Sequence, residues 1–278
     1  MTDFPQSSNG SQPLLEISEL SIQFGGLRAV NNFSLALKPH DLQGLIGPNG
    51  AGKTTVFNMI TGIYSPTSGQ IVFNEVNITG LEPHSINQLG IARTFQNIRL
   101  FSNLNVLDNV RIAYHTHADY GLSDGVMHSR RFGVKERELT EKTQEFLSVF
   151  NLQDRQGEIA KNLPYGEQRR LEIARALAAD PKLLLLDEPA AGMNPAESSQ
   201  LMELIHFIRE RFNLTILLIE HQMRVVMGVC EHITVMDFGE VIARGTPNEI
   251  QTDPKVIEAY LGPGTAALTE KFRRKREG

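Results

Sequence analysis

A glycine-rich stretch near the start of the chain carries the residue types that bind phosphate. Gly47, Gly52 and the pair Lys53-Thr54 fit the pattern G-x-x-x-x-G-K-[ST]. Glycines let the backbone curl so that successive N–H groups face the phosphates. The lysine reaches the β- and γ-phosphates, and the threonine hydroxyl ligates Mg²⁺. The pattern therefore predicts a site for ATP and Mg²⁺. The residues assigned to ATP are Gly47, Pro48, Asn49, Gly50, Ala51, Gly52, Lys53, Thr54 and Thr55.

An acidic pair follows the apolar run Leu183–Leu186. Such a run is typical of a buried strand that delivers its next residue, here Asp187, to the Mg²⁺ ion. Glu188 comes directly after it and is placed to orient and deprotonate an attacking water. Alone, the pattern also fits a buried strand that ends in an exposed acidic turn. Beside a phosphate-binding stretch it predicts hydrolysis of ATP, with Thr54 and Asp187 as Mg²⁺ ligands and Glu188 as the catalytic base.

The residues around the phosphate-binding stretch favour a strand before it and a helix after it. Asp41–Ile46 is nearly continuously apolar, as a strand covered on both faces is. The helix is expected from Lys53 to Thr61, where Gly62 ends it. The other strands expected in this part of the chain are Leu14–Leu20, Ser21–Phe24, Val30–Leu37 and Gln70–Phe73.

From about Asn97 to Ala176 the strand patterns give way to helical spacing. Val106, Val110 and Ala113 fall on one helical stripe. His115–Phe132 is polar, contains glycine and is irregular, which favours a surface insertion. The middle of the chain therefore predicts a helical subdomain set into an α/β core.

The α/β pattern returns after the helical region. Asn194 and Pro195 begin a helix, because asparagine is a good N-cap and proline fits the first helical position. This helix is expected to end near Arg211. The other expected elements are the buried strands Lys182–Leu186 and Thr215–Glu220, the hairpin strands Ile233–Met236 and Glu240–Ala243, and short helices opened by Thr246 and Asp253.

The composition limits the classes of protein to be considered. The 278 residues include 27 basic and 32 acidic ones, a net charge of −5 that argues against a nucleic-acid partner. No run reaches the roughly 18–20 apolar residues that span a bilayer, and the polar N-terminus does not resemble a secretory signal. The single cysteine, Cys230, excludes an internal disulfide and is interpreted as a small buried residue. We expect a soluble protein that reaches a membrane only through partners.

A third motif completes a family pattern. Asn162–Arg170 contains LPYGEQRR and leads into a helical stretch. Together with GPNGAGKTT, Gln96, LLLLDEP and the pair Glu220-His221, in this order, it resembles the ATP-binding subunits of ABC transporters over about residues 14 to 262. The resemblance implies an α/β fold, with a P-loop NTPase core of the RecA type, a mixed sheet, an antiparallel β subdomain and an inserted helical subdomain.

The resemblance also divides the chain and predicts how two chains pair. Two such ATPases would associate head to tail, so that each ATP lies between the phosphate loop of one chain and the third motif of the other. The expected segments are a flexible N-terminus at 1–13, the ATPase core with its β subdomain at 14–96, the helical subdomain with the third motif at 97–176, the continued core at 177–262 and a basic tail at 263–278.

Single residues take roles from the same resemblance. Gln96 would ligate Mg²⁺ and assist catalysis at the hinge to the helical subdomain. His221 would contact the γ-phosphate as a catalytic residue, and Phe24 would stack on the adenine. The segment Ala191–Asn194 would contact the partner chain.

The third motif departs from the family's usual form. Tyr165, Gly166 and Glu167 would face the ATP of the partner chain. Pro164 stands where the family usually has serine, and Tyr165 where it usually has glycine. Proline offers neither a hydroxyl nor an N–H. We therefore expect a working site with one hydrogen bond fewer, a bond that is worth about 1.5–3 kcal/mol to a charged group.

Several stretches resemble one branch of the family, the ATPases of bacterial branched-chain amino-acid importers. They are FGGLRAV, GIARTFQNIRLF, YGEQRRLEIARAL, DEPAAGMNP and LIEHQMRVVMG. The resemblance implies two membrane-spanning permease subunits, a second ABC ATPase in a heterodimer or a second copy in a homodimer, and indirectly an external solute-binding receptor. It places the chain in the cytoplasm, on the inner face of the cell membrane.

Other functions within the family stay open at this point. Importers of urea or short amides use similar ATPases, and some exporters of lipid or drugs keep the ATPase as a separate chain. A soluble ABC protein of translation or DNA maintenance usually has two cassettes or a long coiled-coil insertion, neither of which this sequence has. The basic end Lys271–Gly278 is either a solvated tail or a contact with anionic lipid.

Overall fold

The computed structural model describes the backbone of residues 12–115 and 130–262 and the side chains of residues 12–114 and 137–262. The predictions for the first eleven residues and for the tail 263–278 lie outside this range. So does most of the expected insertion His115–Phe132, whose last residues belong to a helix that begins at Arg130.

The elements alternate between strands and helices around a central region of helices. The strands are β1 (Leu15–Phe24), β2 (Leu27–Leu37), β3 (Leu42–Ile46), β4 (Ser68–Phe73), β5 (Val76–Asn77), β6 (Ile91–Arg93), β7 (Leu183–Asp187), β8 (Thr215–Ile219), β9 (His232–Asp237) and β10 (Glu240–Gly245). The helices are α1 (Lys53–Ile60), α2 (Pro83–Gln88), α3 (Val106–His115), α4 (Arg130–Val149), α5 (Tyr165–Leu177), α6 (Pro195–Phe212), α7 (Met223–Val229), α8 (Pro247–Thr252) and α9 (Pro254–Leu261).

The first strands form an antiparallel sheet in the order β2-β1-β4-β5. The prediction of separate strands at Leu14–Leu20 and Ser21–Phe24 was wrong, because both belong to β1. The pairing of β1 with β4 shifts register between Ser18 and Ser21, and Glu19 has a left-handed φ of 49°. This irregularity breaks the alternation of apolar residues in the middle of the strand, which made one bulged strand look like two.

The second sheet is mixed and holds the chemistry. Its order is β10-β9-β3-β8-β7-β6, and only β10 pairs antiparallel within it. Every residue of β7 and β8 is buried, as expected for parallel strands covered on both faces. Since β3, β6, β7 and β8 run parallel, their carboxyl ends meet at one edge, where α/β proteins bind ligands.

The helical subdomain forms as predicted. Val106 and Val110 on α3 are fully buried against Leu147 and Phe150 near the end of α4 and against α5. Asn109 shares this buried stripe because its amide bonds to the backbone of the preceding loop, including Phe101. The expected helix start is also observed, with Asn194 accepting from two backbone N–H groups in a capping box.

Two further expectations are confirmed, and four short elements, β5, α2, β6 and α7, were not predicted. Cys230 is a buried free cysteine, with 6% of its surface exposed, and the hairpin β9–β10 is present. The strand β6 was not predicted, since three residues are too few to show a pattern. In the part of the chain that the structure describes, no helix has the length and apolar character needed to cross a bilayer.

Candidate active site

The phosphate loop begins where β3 ends. Gly47 has a φ of 151°, and a Cβ there would lie 2.0 Å from the carbonyl oxygen of Met236. Gly52 has a φ of 100°, and a Cβ there would lie 2.7 Å from the carbonyl oxygen of Ala29. Only glycine fits both positions. The tight loop directs α1 so that its N-terminus, at Lys53, points at the loop, as phosphate sites require.

Lys53 lies at the centre of this loop. Its side chain is 5% exposed, and its Nζ donates hydrogen bonds to the carbonyl oxygens of Gly47 (2.8 Å) and Pro48 (2.9 Å). Burial lowers the pKa of the ammonium, while the nearby carboxylates of Glu188 and Asp187 act in the opposite direction. The loop therefore concentrates one cation and several backbone N–H groups at a point that faces two acids.

A cleft of about 650 Å³ opens beside the loop, within the 300–1,000 Å³ typical of small-molecule sites. It brings together residues that are far apart in the sequence. They are Leu27, Arg28, Ala29, Asn49, Gly50, Gly52, Lys53, Thr54, Thr55, Gln96, Glu188, His221 and Phe238. Four of the thirteen, Leu27, Arg28, Ala29 and Phe238, were not assigned from the sequence. The first three open strand β2 and Phe238 lies in the turn between β9 and β10, and neither place carries a sequence pattern for a ligand.

Phe24 is not among the residues that line this cleft. It is 45% exposed at the end of β1, and its ring meets the ring of Tyr64 edge-on at 5.2 Å between centroids. The neighbouring residues Leu27 to Ala29 line the cleft instead. Stacking of Phe24 on adenine therefore stays a prediction from the family resemblance.

Glu188 is held from two sides. Its Oε2 accepts a hydrogen bond from Nε2 of Gln96 at 2.8 Å, and its Oε1 lies 2.7 Å from Nε2 of His221. The residue has a left-handed φ of 48°, an uncommon backbone conformation that costs about 1–3 kcal/mol in a non-glycine residue. The three residues predicted to be catalytic, Glu188, Gln96 and His221, thus meet at the carboxylate of Glu188.

Asp187 has a partner that sequence reasoning missed. Its Oδ2 lies 2.7 Å from a guanidinium nitrogen of Arg93, and both side chains are buried. The same guanidinium donates to Asn58 and Thr61 at the end of α1. The contact exists because β6 pairs with β7, a pairing that the sequence did not indicate.

The oxygen donors near the loop fit Mg²⁺. Asp187 offers a carboxylate, Thr54 a hydroxyl and Gln96 an amide oxygen, which are the hard ligands this ion prefers. Among the described residues, no group of three or more His, Cys, Asp or Glu could hold a metal ion. An ion at this place would therefore depend on phosphate oxygens as well, as Mg²⁺ in nucleotide sites usually does.

Glu220 is a buried carboxylate next to His221 that binds backbone N–H groups beside the site. Its buried carboxylate accepts from the backbone N–H of Ala190 at 2.7 Å, of His221 at 3.0 Å and of Gln222 at 3.2 Å. Burial raises the pKa of this carboxyl, and the three N–H groups partly offset the rise. Glu220 thus fixes the backbone that presents His221.

The third motif lies elsewhere on the surface. Pro164 is the N-cap of α5 and makes no side-chain capping bond, as its chemistry predicts. Tyr165, Gly166 and Glu167 form the first turn of α5, and none of the three is among the residues lining the cleft of the phosphate loop. Their contact with the ATP of a partner chain stays a prediction.

Comparisons with known proteins agree with this geometry. The family described as ABC transporter matches residues 30–191, and the family described as branched-chain amino acid ATP-binding cassette transporter matches residues 240–262. The chain is 47% identical over 252 residues to the high-affinity branched-chain amino acid transport ATP-binding protein LivG of Salmonella typhimurium, covering 91% of this chain and 99% of the relative.

Two further matches cover nearly the whole chain. The high-affinity branched-chain amino acid transport ATP-binding protein BraF of Pseudomonas aeruginosa is 46% identical over 91% of this chain and 99% of the relative. The crystal structure of the ADP conformation of an ATP-binding cassette of an ABC transporter superposes with a TM-score of 0.79 and is 30% identical, covering 91% of this chain and all of that one.

Proposed function

This chain belongs to the ABC transporter family, and we propose that it is the subunit that binds and hydrolyses ATP to power uptake of branched-chain amino acids through separate membrane subunits. The prediction of an ABC-type ATPase with a P-loop α/β fold is confirmed by the family match and the solved relative. The observation that carries the catalytic part is the carboxylate of Glu188, held between Gln96 and His221 at the mouth of the phosphate loop.

The chemistry follows from what each group offers. The backbone N–H groups of the loop and the ammonium of Lys53 bind the β- and γ-phosphates and stabilise the negative charge of the transferred group. Thr54, Asp187 and Gln96 would hold Mg²⁺. When bound, this ion neutralises charge on the β- and γ-phosphate oxygens.

Glu188 acts on the attacking water. Its carboxylate accepts a proton from the water as the oxygen approaches the γ-phosphorus, a role that needs hydrogen-bond reach and a free lone pair. Gln96 and His221 orient the carboxylate, and His221 would also contact the γ-phosphate. ADP and inorganic phosphate are the products.

The partners follow from the family. Tyr165, Gly166 and Glu167 would complete the ATP site of a second ABC ATPase, which is a different chain in a heterodimer or this chain in a homodimer. Closure of the pair around ATP would move two membrane-spanning permease subunits docked near Gln96. The chain would then lie on the cytoplasmic face of the cell membrane, and an external solute-binding receptor would deliver the cargo.

The cargo rests on two kinds of support. The relatives LivG and BraF are named for branched-chain amino acid transport. The family that matches residues 240–262 is also described by branched-chain amino acids. No residue of the phosphate cleft would touch the cargo. The proposal for leucine, isoleucine and valine therefore depends on the assembly and needs a test on the assembly.

The test is gentle extraction of the tagged chain from its own cells, with identification of the proteins that co-purify. The expected partners are two multi-span membrane proteins and a second ABC ATPase. ATP turnover by the extracted complex should rise when the receptor is added with leucine, isoleucine or valine, and not when it is added alone. Recovery of ribosomal or DNA-maintenance proteins without a membrane protein would refute the proposed role in transport. The proposed hydrolysis of ATP would not be affected by that result.

A further inference from the structure

A buried ion pair on α5 holds the segment that carries Gln96. The guanidinium of Arg169 lies 2.7 Å from a carboxylate oxygen of Glu172, and the two side chains are 0% and 1% exposed. Replacing such pairs by apolar residues is often neutral or favourable for stability, so stability alone does not explain why a chain carries one. We propose that Arg169 and Glu172 are positioning residues that fix Gln96 against Glu188, and that Tyr165 links them to the part of the third motif that would face the partner's ATP.

The pair binds the backbone on both sides of Gln96. Arg169 donates from one nitrogen to the carbonyl oxygen of Phe95 at 2.7 Å and from the other to that of Gln96 at 2.9 Å. The other carboxylate oxygen of Glu172, which does not bind Arg169, accepts hydrogen bonds from the backbone N–H groups of Arg99 at 3.0 Å and Phe95 at 3.4 Å. We call this set of four backbone contacts the clamp.

The clamp fixes the backbone position of Gln96, from which its side chain extends. Gln96 itself is exposed, so packing around its side chain contributes little to its position. Its amide nevertheless meets Glu188 at 2.8 Å. Because the carbonyl of Gln96 is bound to a buried cation, the amide can reach the carboxylate without first ordering a free loop.

Tyr165 extends the clamp to the first residue of α5. Its hydroxyl lies 3.2 Å from Arg169, on the same nitrogen that binds the carbonyl of Gln96. Its ring also lies against Gly192, where an added Cβ would be 3.6 Å from the ring. In this chain, a residue that would face the partner's ATP is therefore joined through one guanidinium to the chain's own catalytic carboxylate.

This inference rests on the proposed role of Glu188, and the experiment separates the two. Removing Arg169 alone would leave the charge of Glu172 buried and could unfold the chain. We therefore combine Arg169→Met with Glu172→Leu, which removes both charges and keeps an apolar volume. Tyr165→Phe, which removes only a hydroxyl, is the second variant.

The matched control is Arg209→Met. Arg209 also binds a backbone carbonyl, that of His40 at 2.8 Å, and a carboxylate, that of Glu231 at 2.7 Å, but it is not among the residues lining the cleft of the phosphate loop. The measurements are hydrogen exchange of the amides between 94 and 99 in the chain, the affinity for a fluorescent ATP analogue, and kcat of the extracted complex.

The clamp predicts faster exchange at Phe95 and Arg99 in the Arg169→Met, Glu172→Leu variant, and unchanged exchange there in Arg209→Met. It predicts a kcat about 10- to 100-fold lower, since a misplacement of about 1 Å costs about 100-fold, with unchanged affinity for the analogue. Tyr165→Phe should also speed exchange, by a smaller factor. Adding Gln96→Ala to the double variant should cause no further loss, because the clamp acts through Gln96.

Unchanged hydrogen exchange at Phe95 and Arg99 in the double variant would refute the clamp. So would a kcat that falls further, by the full factor of Gln96→Ala, when that substitution is added to the double variant. If the wild-type complex hydrolyses ATP, Glu188→Gln abolishes this, and the double variant keeps full kcat, the clamp fails while the proposed function stands. If the wild-type complex does not hydrolyse ATP, the proposed function fails, and the exchange measurement still decides on the clamp.

Discussion

The ion pair between Arg93 and Asp187 should be among the most sensitive contacts in the chain. Both side chains are nearly inaccessible, at 5% and 3% exposure. The guanidinium of Arg93 also lies over the rings of Phe57 and Phe95, at 5.5 and 5.2 Å from their centroids. Replacing Arg93→Met leaves Asp187 as a buried, unpaired charge. Breaking a buried pair in this way costs about 3–5 kcal/mol, which lowers Tm by about 6–20 °C for a chain of this size.

A control and a second measurement make the prediction specific. Arg99→Met removes a guanidinium that is exposed and stacks on Phe95 at 4.2 Å, which should cost only about 0.5–1 kcal/mol. Mg²⁺ at the carboxylate of Asp187 would replace the missing charge in Arg93→Met. The rise in Tm on adding MgATP, compared with ATP and EDTA, should therefore be larger in Arg93→Met than in the wild type.

The assay is thermal unfolding followed by circular dichroism, with and without each ligand. If Arg93→Met melts at the same temperature as Arg99→Met, the pair is not the stabilising contact that its geometry indicates. If MgATP and ATP with EDTA raise Tm equally in Arg93→Met, Asp187 is not near the metal.

Three smaller predictions concern the third motif, the carboxyl of Glu220 and the cysteine. Pro164→Ser places a good N-cap at α5, so the free energy of unfolding should rise by about 0.5–2 kcal/mol and ATPase activity should stay equal or increase; loss of activity would contradict this. The raised pKa of Glu220 means that its contribution to stability is full below its ordinary value of 4.5 and is lost as pH rises through the raised value. Glu220→Gln should remove this decrease with pH in the free energy of unfolding, measured by urea unfolding at a series of pH values. Wild-type and variant free energies that run parallel against pH would refute this. Burial raises the pKa of Cys230 to about 12, so the native thiol should resist a maleimide reagent at pH 8 that labels the urea-unfolded chain at once; equal labelling rates would show that the site opens.

Much of the candidate site could be located from the sequence because its residues adjoin patterned elements. Asp187 and Glu188 follow a fully apolar strand, and Lys53 opens a helix after a glycine turn. Local chemistry specifies such turns, so the order of residues along the chain is enough to find them. The role of His221, two residues after the buried strand β8, came instead from the family resemblance.

The contacts between distant segments could not be predicted from one sequence. Arg93 meets Asp187 only because β6, a strand of three residues, pairs with β7. The clamp on Gln96 likewise depends on how α5 packs beneath the end of β6. Neither pairing leaves a periodic pattern, and buried arginines look like solvated ones until the partner is known.

The boundaries of the first strand show a different limit. The bulge around Glu19 places buried residues in succession at Leu20, Ser21 and Ile22. A reading by strict alternation therefore divides β1 in two. A register shift of this kind is set by the neighbouring strands, which the chain's local pattern does not contain.

The proposed mechanism of this cassette depends on Glu188 as the base for ATP hydrolysis. The most direct measurement compares ATP binding and turnover by the extracted complex for the wild type, Glu188→Gln and the control Glu203→Gln, an exposed carboxylate on α6. If Glu188 is the base, all three bind ATP with wild-type affinity, and kcat is about 10²- to 10⁴-fold lower in Glu188→Gln alone. Turnover by Glu188→Gln at the wild-type rate would contradict it.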